Sequence, residues 1–143
     1  MSVSSILKTK GSAVIAVRPD QTLAYAATIL NAKNVGVAVV CDSKAQVVGL
    51  ISERDIVKGI AVYGKEAQEM PVRSVMSSPV TVCSPTDSVK HILQVMTASR
   101  VRHLPVMEDG ELIGIVSIGD AVNHRLLESQ EEVGVLRDFA VIR

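Results

Sequence analysis

Two serine–aspartate pairs are the residues best spaced for chemistry: Ser52-Glu53-Arg54-Asp55 and Ser117-Ile118-Gly119-Asp120. Each follows an apolar-Gly-apolar-apolar run, Val48-Gly49-Leu50-Ile51 and Ile113-Gly114-Ile115-Val116, and the glycine, serine and aspartate all recur 65 positions later. An ionised aspartate only accepts hydrogen bonds, and its two oxygens can take one from each hydroxyl of a vicinal diol such as a ribose. A serine and the free amides of a helix start can hold phosphate oxygens, and the positive helix end offsets repulsion between acid and phosphate. The spacing also has a purely structural reading. Ser-x-x-Asp at a helix start resembles a capping box, in which hydroxyl and carboxylate satisfy free backbone amides. The two glycines likewise read as bulge or close-approach positions in a strand. Recurrence in register, Asp in place of the more usual Glu, and a position between strand end and helix start favour the ligand reading.

The duplication dictates the elements that must position these pairs. Upstream, Pro19 falls on Pro85, and Val35–Val40 on Val101–Val106 with a shift of 66, so the second repeat is one residue shorter in the turn before its glycine. Val3-Ser4-Ser5-Ile6-Leu7 resembles Val72-Arg73-Ser74-Val75-Met76 as a lead-in to each repeat. Short strands are expected at Val14–Val17 and Val80–Val82, followed by helices whose apolar residues recur at helical spacing: Leu23, Ala26, Ala27 and Leu30, then Val89, Ile92, Leu93 and Met96. Thr22 and Asp87-Ser88 supply N-cap chemistry. The continuous apolar runs Val35–Cys41 and Val101–Met107 read as buried strands, hairpin-paired with Val47–Ile51 and Leu112–Val116. Helices then begin near Ser52 and Ser117. A polar connector is expected over Ala61–Pro71. After Asp120 one longer helix follows, with an irregular apolar face of Leu126, Leu127, Val133 and Leu136, and Gly134 weakening it by about 1 kcal/mol.

Composition narrows the function classes. One repeat of about 65 residues would bury only roughly 60% of its unfolded surface. With 48% hydrophobic residues the two repeats are expected to share a core. A formal net charge of zero, no basic run and 2% aromatics argue against nucleic acid as a partner. The longest apolar stretch, Val35–Cys41, is far short of the ~20 residues of a membrane helix. No signal-peptide pattern opens the chain, so a cytoplasmic location is expected. Cys41 and Cys83 read as free thiols, and His91, His103 and His124 are too scattered for a metal site. Phosphate-loop, dinucleotide-turn and triad patterns are missing, so no enzyme is expected.

The strand-helix-strand-strand-helix order, the paired Gly-x-x-Ser-x-x-Asp and the phrase Arg102-His103-Leu104-Pro105-Val106 together resemble a tandem pair of CBS domains (cystathionine β-synthase domains), a Bateman module, over about residues 1–127. Ile51–Val57 and Val116–Asp120 are especially similar to small bacterial stand-alone members. The resemblance implies an α/β fold (α+β by some schemes) of two pseudo-symmetric β-α-β-β-α repeats packed face to face through their sheets. Residues 1–66 would be repeat 1 with its N-terminal lead-in, 67–127 repeat 2, and 128–143 a C-terminal helical tail.

It further implies clefts between the repeats that bind an adenosyl ligand: AMP, ADP, ATP, NAD(H) or S-adenosylmethionine. Asp55 and Asp120 would then grip ribose, with Ser52 and Ser117 near ribose or phosphate. The strands containing Val14, Ile15 and Ala16, and Val80, Thr81 and Val82, would sandwich the adenine. Arg102 and His103 match a phosphate-binding position, where repeat 1 has Gly36 and Val37; Arg54 and Lys58 are its candidate compensators, so the two clefts are expected to be unequal. No catalytic cofactor is implied. The expected partners are a second copy of the module, in a homodimer, and an unidentified regulated protein. Two other readings remain: a structural dimerisation adaptor with vestigial clefts, and a metal or redox sensor using Cys41, Cys83 and the histidines.

Overall fold

The computed structural model describes the backbone of residues 1–142 and the side chains of residues 1–130. In chain order the elements are α1 (Val3–Lys10), β1 (Ala16–Val17), α2 (Leu23–Lys33), β2 (Val37–Cys41), β3 (Val47–Ser52), α3 (Glu53–Tyr63), α4 (Val89–Ser99), β4 (His103–Glu108), β5 (Glu111–Ser117) and α5 (Ile118–Ile142). This is the expected mixed α/β duplication, and the elements pack as two compact units.

The first unit is Ala13–Thr81. Its three-stranded sheet has the order β1-β2-β3, with β1 parallel and β3 antiparallel to β2. The continuous apolar run of β2 makes it the central strand, with Ala38, Val39 and Val40 fully buried. Val17, Leu23, Ala26, Leu30, Ile51 and Val72 complete the core around it. The Thr22 hydroxyl accepts the Tyr25 N–H (3.1 Å) to start α2, and Asn34 ends it in the left-handed region (φ 54°). The connector expected at Ala61–Pro71 is more structured than its polarity implies. The helix α3 continues through Tyr63, a 3-10 turn covers Gly64–Glu69, and Ala67 is buried in the core.

The second unit joins Met1–Ser12 to the chain from Val82 on. Its core gathers Val3 and Ile6 of α1 with Val89, Ile92, Met96, Leu104, Val106, Val116 and Ala121. The start of α1 is held by backbone bonds from Val3 N–H to the Asp87 carbonyl (2.9 Å) and Ser4 N–H to the Pro85 carbonyl (3.0 Å). The strand expected at Val80–Val82 does not form; a single parallel bridge between Cys83 and Val106 stands in its place. Pro105 is the physical reason. In the first unit Val39 N–H donates to the Ile15 carbonyl (2.8 Å), but its counterpart is Pro105, which has no N–H to offer Thr81.

Packing units and sequence repeats therefore divide the chain differently. The lead-in helix α1 packs with the second repeat, while the lead-in of the second repeat, through Thr81, packs with the first. The paired glycines make this exchange possible. A Cβ on Gly49 would lie 2.6 Å from Met76 Sδ, and one on Gly114 would lie 2.7 Å from Leu7 Cδ2. Leu7 and Met76 are corresponding lead-in residues, so each glycine leaves room for an apolar side chain. Their role is close approach of the protein's own chain. Each also lies next to an irregularity in its hairpin ladder, between Val40 and Cys41 and between Val106 and Met107. The longer helix expected after Asp120 is α5, whose backbone is helical through Ile142 and so runs into the helical tail expected at 128–143. Val133, Gly134 and Leu136 lie outside the residues whose side chains are described.

Candidate ligand site at two capped helix starts

Both Ser-x-x-Asp pairs sit where a strand ends and a helix begins, as the spacing requires. In the first unit Ser52 closes β3 and caps α3. Its hydroxyl accepts the Asp55 N–H (3.2 Å), while Asp55 Oδ2 accepts both the Ser52 N–H and the Ser52 hydroxyl (2.9 Å each). This is a complete capping box. Asp55 Oδ1 accepts the hydroxyl of Ser77 (3.2 Å). In the second unit the Ser117 hydroxyl accepts the Asp120 N–H (3.1 Å), and Asp120 Oδ2 accepts the Ser117 N–H (2.9 Å). The capping reading of both pairs is thus realised in the structure. All four side chains are half-buried, so both carboxylates still reach solvent.

The surroundings of the two acids differ sharply. Lys10, the last residue of α1, places Nζ 2.7 Å from Asp120 Oδ2 and donates also to the Ile115 carbonyl (3.0 Å). Burial on its own would raise the Asp120 carboxyl, but the Lys10 and Ser117 hydrogen bonds and the Lys10 charge outweigh it and hold the group below the usual carboxylate range. Oδ1 accepts no hydrogen bond from the described residues. His103 is paired with Ser117 across the β4–β5 ladder. Burial, then the charges of Lys10 and Arg102, lower its pKa against the opposing pull of Asp120. Arg102 immediately precedes β4, its side chain exposed, and its carbonyl accepts the Ile118 N–H (2.8 Å). Lys10, Arg102 and His103 thus gather at the start of α5.

At the start of α3 the corresponding backbone bond runs from Glu53 N–H to the Gly36 carbonyl (3.0 Å). Gly36 and Val37 replace Arg102 and His103, and the Glu53 carboxyl group lies over Gly36, 3.7 Å from where a Cβ would stand. Arg54 and Lys58 are exposed on α3 and make no ion pair among the described residues. Of the residues expected to meet adenine, Val14, Ile15, Val80 and Thr81 are half-buried, while Ala16 and Val82 are exposed. Sequence reasoning missed Lys10 and Ser77. Both come from lead-in segments, where the repeats echo only faintly, and nothing in their spacing assigns them to a particular acid.

Cys41 and Cys83 are unpaired. Burial, then the charge of Asp42, raises the Cys41 thiol; burial, then Asp87, pushes Cys83 up to about 12. Thiols held protonated are poor metal ligands and poor redox sensors. Among the described residues no three His, Cys, Asp or Glu side chains are gathered to hold a metal, and no helix is long and apolar enough to cross a membrane.

Fold and site together define a duplicated α/β module with an acid and a serine capping a helix in each copy. The CBS domain family model matches residues 3–62 and 72–126, and the chain belongs to that family as a tandem pair. It is similar to the CBS domain-containing protein YhcV of Bacillus subtilis, with 34% identity over 128 residues, 89% of this chain and 90% of the relative. Among solved structures it is similar to a CBS-domain containing protein of Agrobacterium tumefaciens, at 38% identity and a TM-score of 0.83, over 87% of this chain and 92% of that one. A CBS domain protein of Pyrobaculum aerophilum, solved in complex with AMP, matches at 30% identity and a TM-score of 0.73, over 84% of this chain and 89% of the other.

Proposed function

We propose that this chain is a non-enzymatic regulatory module that binds an adenine nucleotide (AMP, ADP, ATP or NAD(H)) and passes its occupancy to a partner protein. The observation that carries this reading is the gathering of Lys10, Arg102 and His103 around Ser117 and Asp120 at the start of α5. A phosphorylated ribose needs an acceptor for its diol and donors for its phosphate in one place. Asp120 Oδ1 is the acceptor, and the ammonium, the guanidinium and the Gly119 amide, the one at this helix start without an acceptor among the described residues, are the donors. The AMP complex of the Pyrobaculum aerophilum protein supports the same ligand class. With one phenylalanine, two tyrosines and no tryptophan in the chain, the adenine rests mainly on aliphatic side chains. Asp55, Ser52, Arg54 and Lys58 form the weaker candidate site, with Glu53 opposing a phosphate there. Unpaired cysteines fit the reducing cytoplasm in which we place the protein.

A ligand that binds only the folded state raises stability by mass action, about 2.7 kcal/mol at a hundredfold excess over Kd. Thermal melts with AMP, ATP and NADH should therefore rise by several degrees with at least one of them, and GTP should do less. A melting temperature indifferent to all three adenine compounds would favour the adaptor reading. That second reading has its own support, the exposed apolar residues Val57, Ile60 and Val62 on α3 and Val122, Leu126 and Leu127 on α5. We assign these faces to homodimer formation, which is compatible with sensing. Sedimentation of a Val122→Asp, Leu126→Asp variant tests it. The wild type should sediment as a dimer and the variant as a monomer.

A further inference from the structure

Lys10 is unlike any other residue at the two acids. It reaches from the end of α1 to the start of α5, and its ammonium bridges Asp120 Oδ2 and the Ile115 carbonyl. An ammonium carries three protons, and these two bonds use two of them. The third has no acceptor among the described residues, and the side chain is about one-third exposed. A cation is thus fixed in place beside the proposed sugar-binding carboxylate with one donor unspent. The corresponding acid offers a control within the same chain. At Asp55 the lead-in contributes the neutral hydroxyl of Ser77 in place of an ammonium, and the nearby carboxyl group of Glu53 adds negative charge.

We infer that Lys10 is the specificity-determining residue of the Asp120 site, making it select phosphorylated adenosines over adenosine itself. This rests on the nucleotide-binding reading above and deepens it. With Lys10 and the Ser117 amide on Oδ2, the carboxylate presents Oδ1 to the sugar. Adenosine alone therefore finds an acid already half satisfied, whereas a 5′-phosphate takes the third ammonium proton as a charge-assisted bond. Arg102 and His103 can add to phosphate affinity, but neither makes a hydrogen bond to Asp120 that couples sugar and phosphate recognition, as Lys10 does.

Isothermal titration of the full chain with AMP and with adenosine tests the assignment. The wild type should prefer AMP by about tenfold or more, the worth of one charge-assisted hydrogen bond. In Lys10→Met that preference should fall to about threefold or less, and in Lys10→Arg most of it should return. An unchanged AMP-to-adenosine ratio in Lys10→Met overturns the inference and leaves nucleotide binding standing. If Lys10→Met binds neither ligand, Lys10→Arg decides: a preserved preference supports the role of the cation, and a lost one contradicts it. Failure of AMP to bind the wild type would instead overturn the underlying functional reading.

Discussion

His103 reports the electrostatics of the site. Its ring is lowered by burial first and by Lys10 and Arg102 next, so the folded protein takes up a proton there less readily than the unfolded chain. Such a group contributes stability that is full above the unfolded value of about 6.5 and is lost as pH falls through the folded one. Asp120, also held low, extends the loss to more acid pH. Urea melts at pH 7.5 and 5.5 should show the wild type losing stability and His103→Gln losing less, because His91 and His124 are common to both. An equal loss in the two proteins would place the proton uptake elsewhere. The acids themselves are legible in the sequence because their spacing recurs. Lys10 is not, because an ion pair spanning 110 positions leaves no local pattern.

At the scale of elements, the Ser-x-x-Asp pairs do two jobs, and the structural one can be measured alone. Ser117→Ala removes the acceptor for the Asp120 N–H and should cost about 1 kcal/mol in nucleotide-free urea melts. A cost near zero would mean that the cap contributes nothing to α5. The glycines make a sharper case. Gly114→Ala forces Leu7 from its place and should destabilise by about 1–3 kcal/mol. Combined with Leu7→Ala, its additional cost should shrink, since contacting residues do not add independently. Strict additivity would contradict the packing of α1 against β5. Apolar runs, caps and turns make most elements readable from local sequence. The failure at Val80–Val82 comes from a missing rung, since Pro105 lies more than twenty residues away and the strand's own residues look well suited to pairing. The exchange of lead-ins is hidden for a related reason: Leu7 and Gly114 fit each other in space, and sequence order places the lead-in beside the other repeat.

For the whole molecule, that exchange makes the first twelve residues part of the second unit. Val3 and Ile6 are fully buried there, so Ile6→Ala should cost about 2–5 kcal/mol despite lying near the chain end. A change below 0.5 kcal/mol would show the N-terminal helix to be dispensable. The same helix carries Lys10, so the segment that completes the core also furnishes a cation to the proposed site. The proposed function depends on a ribose diol being held at Asp120. Titration of the full chain with AMP and 2′-deoxy-AMP tests this most directly. AMP should bind in the micromolar range, about −8 kcal/mol, and the deoxy compound at least tenfold more weakly. Equal affinity for the two, or heat from neither, would contradict it.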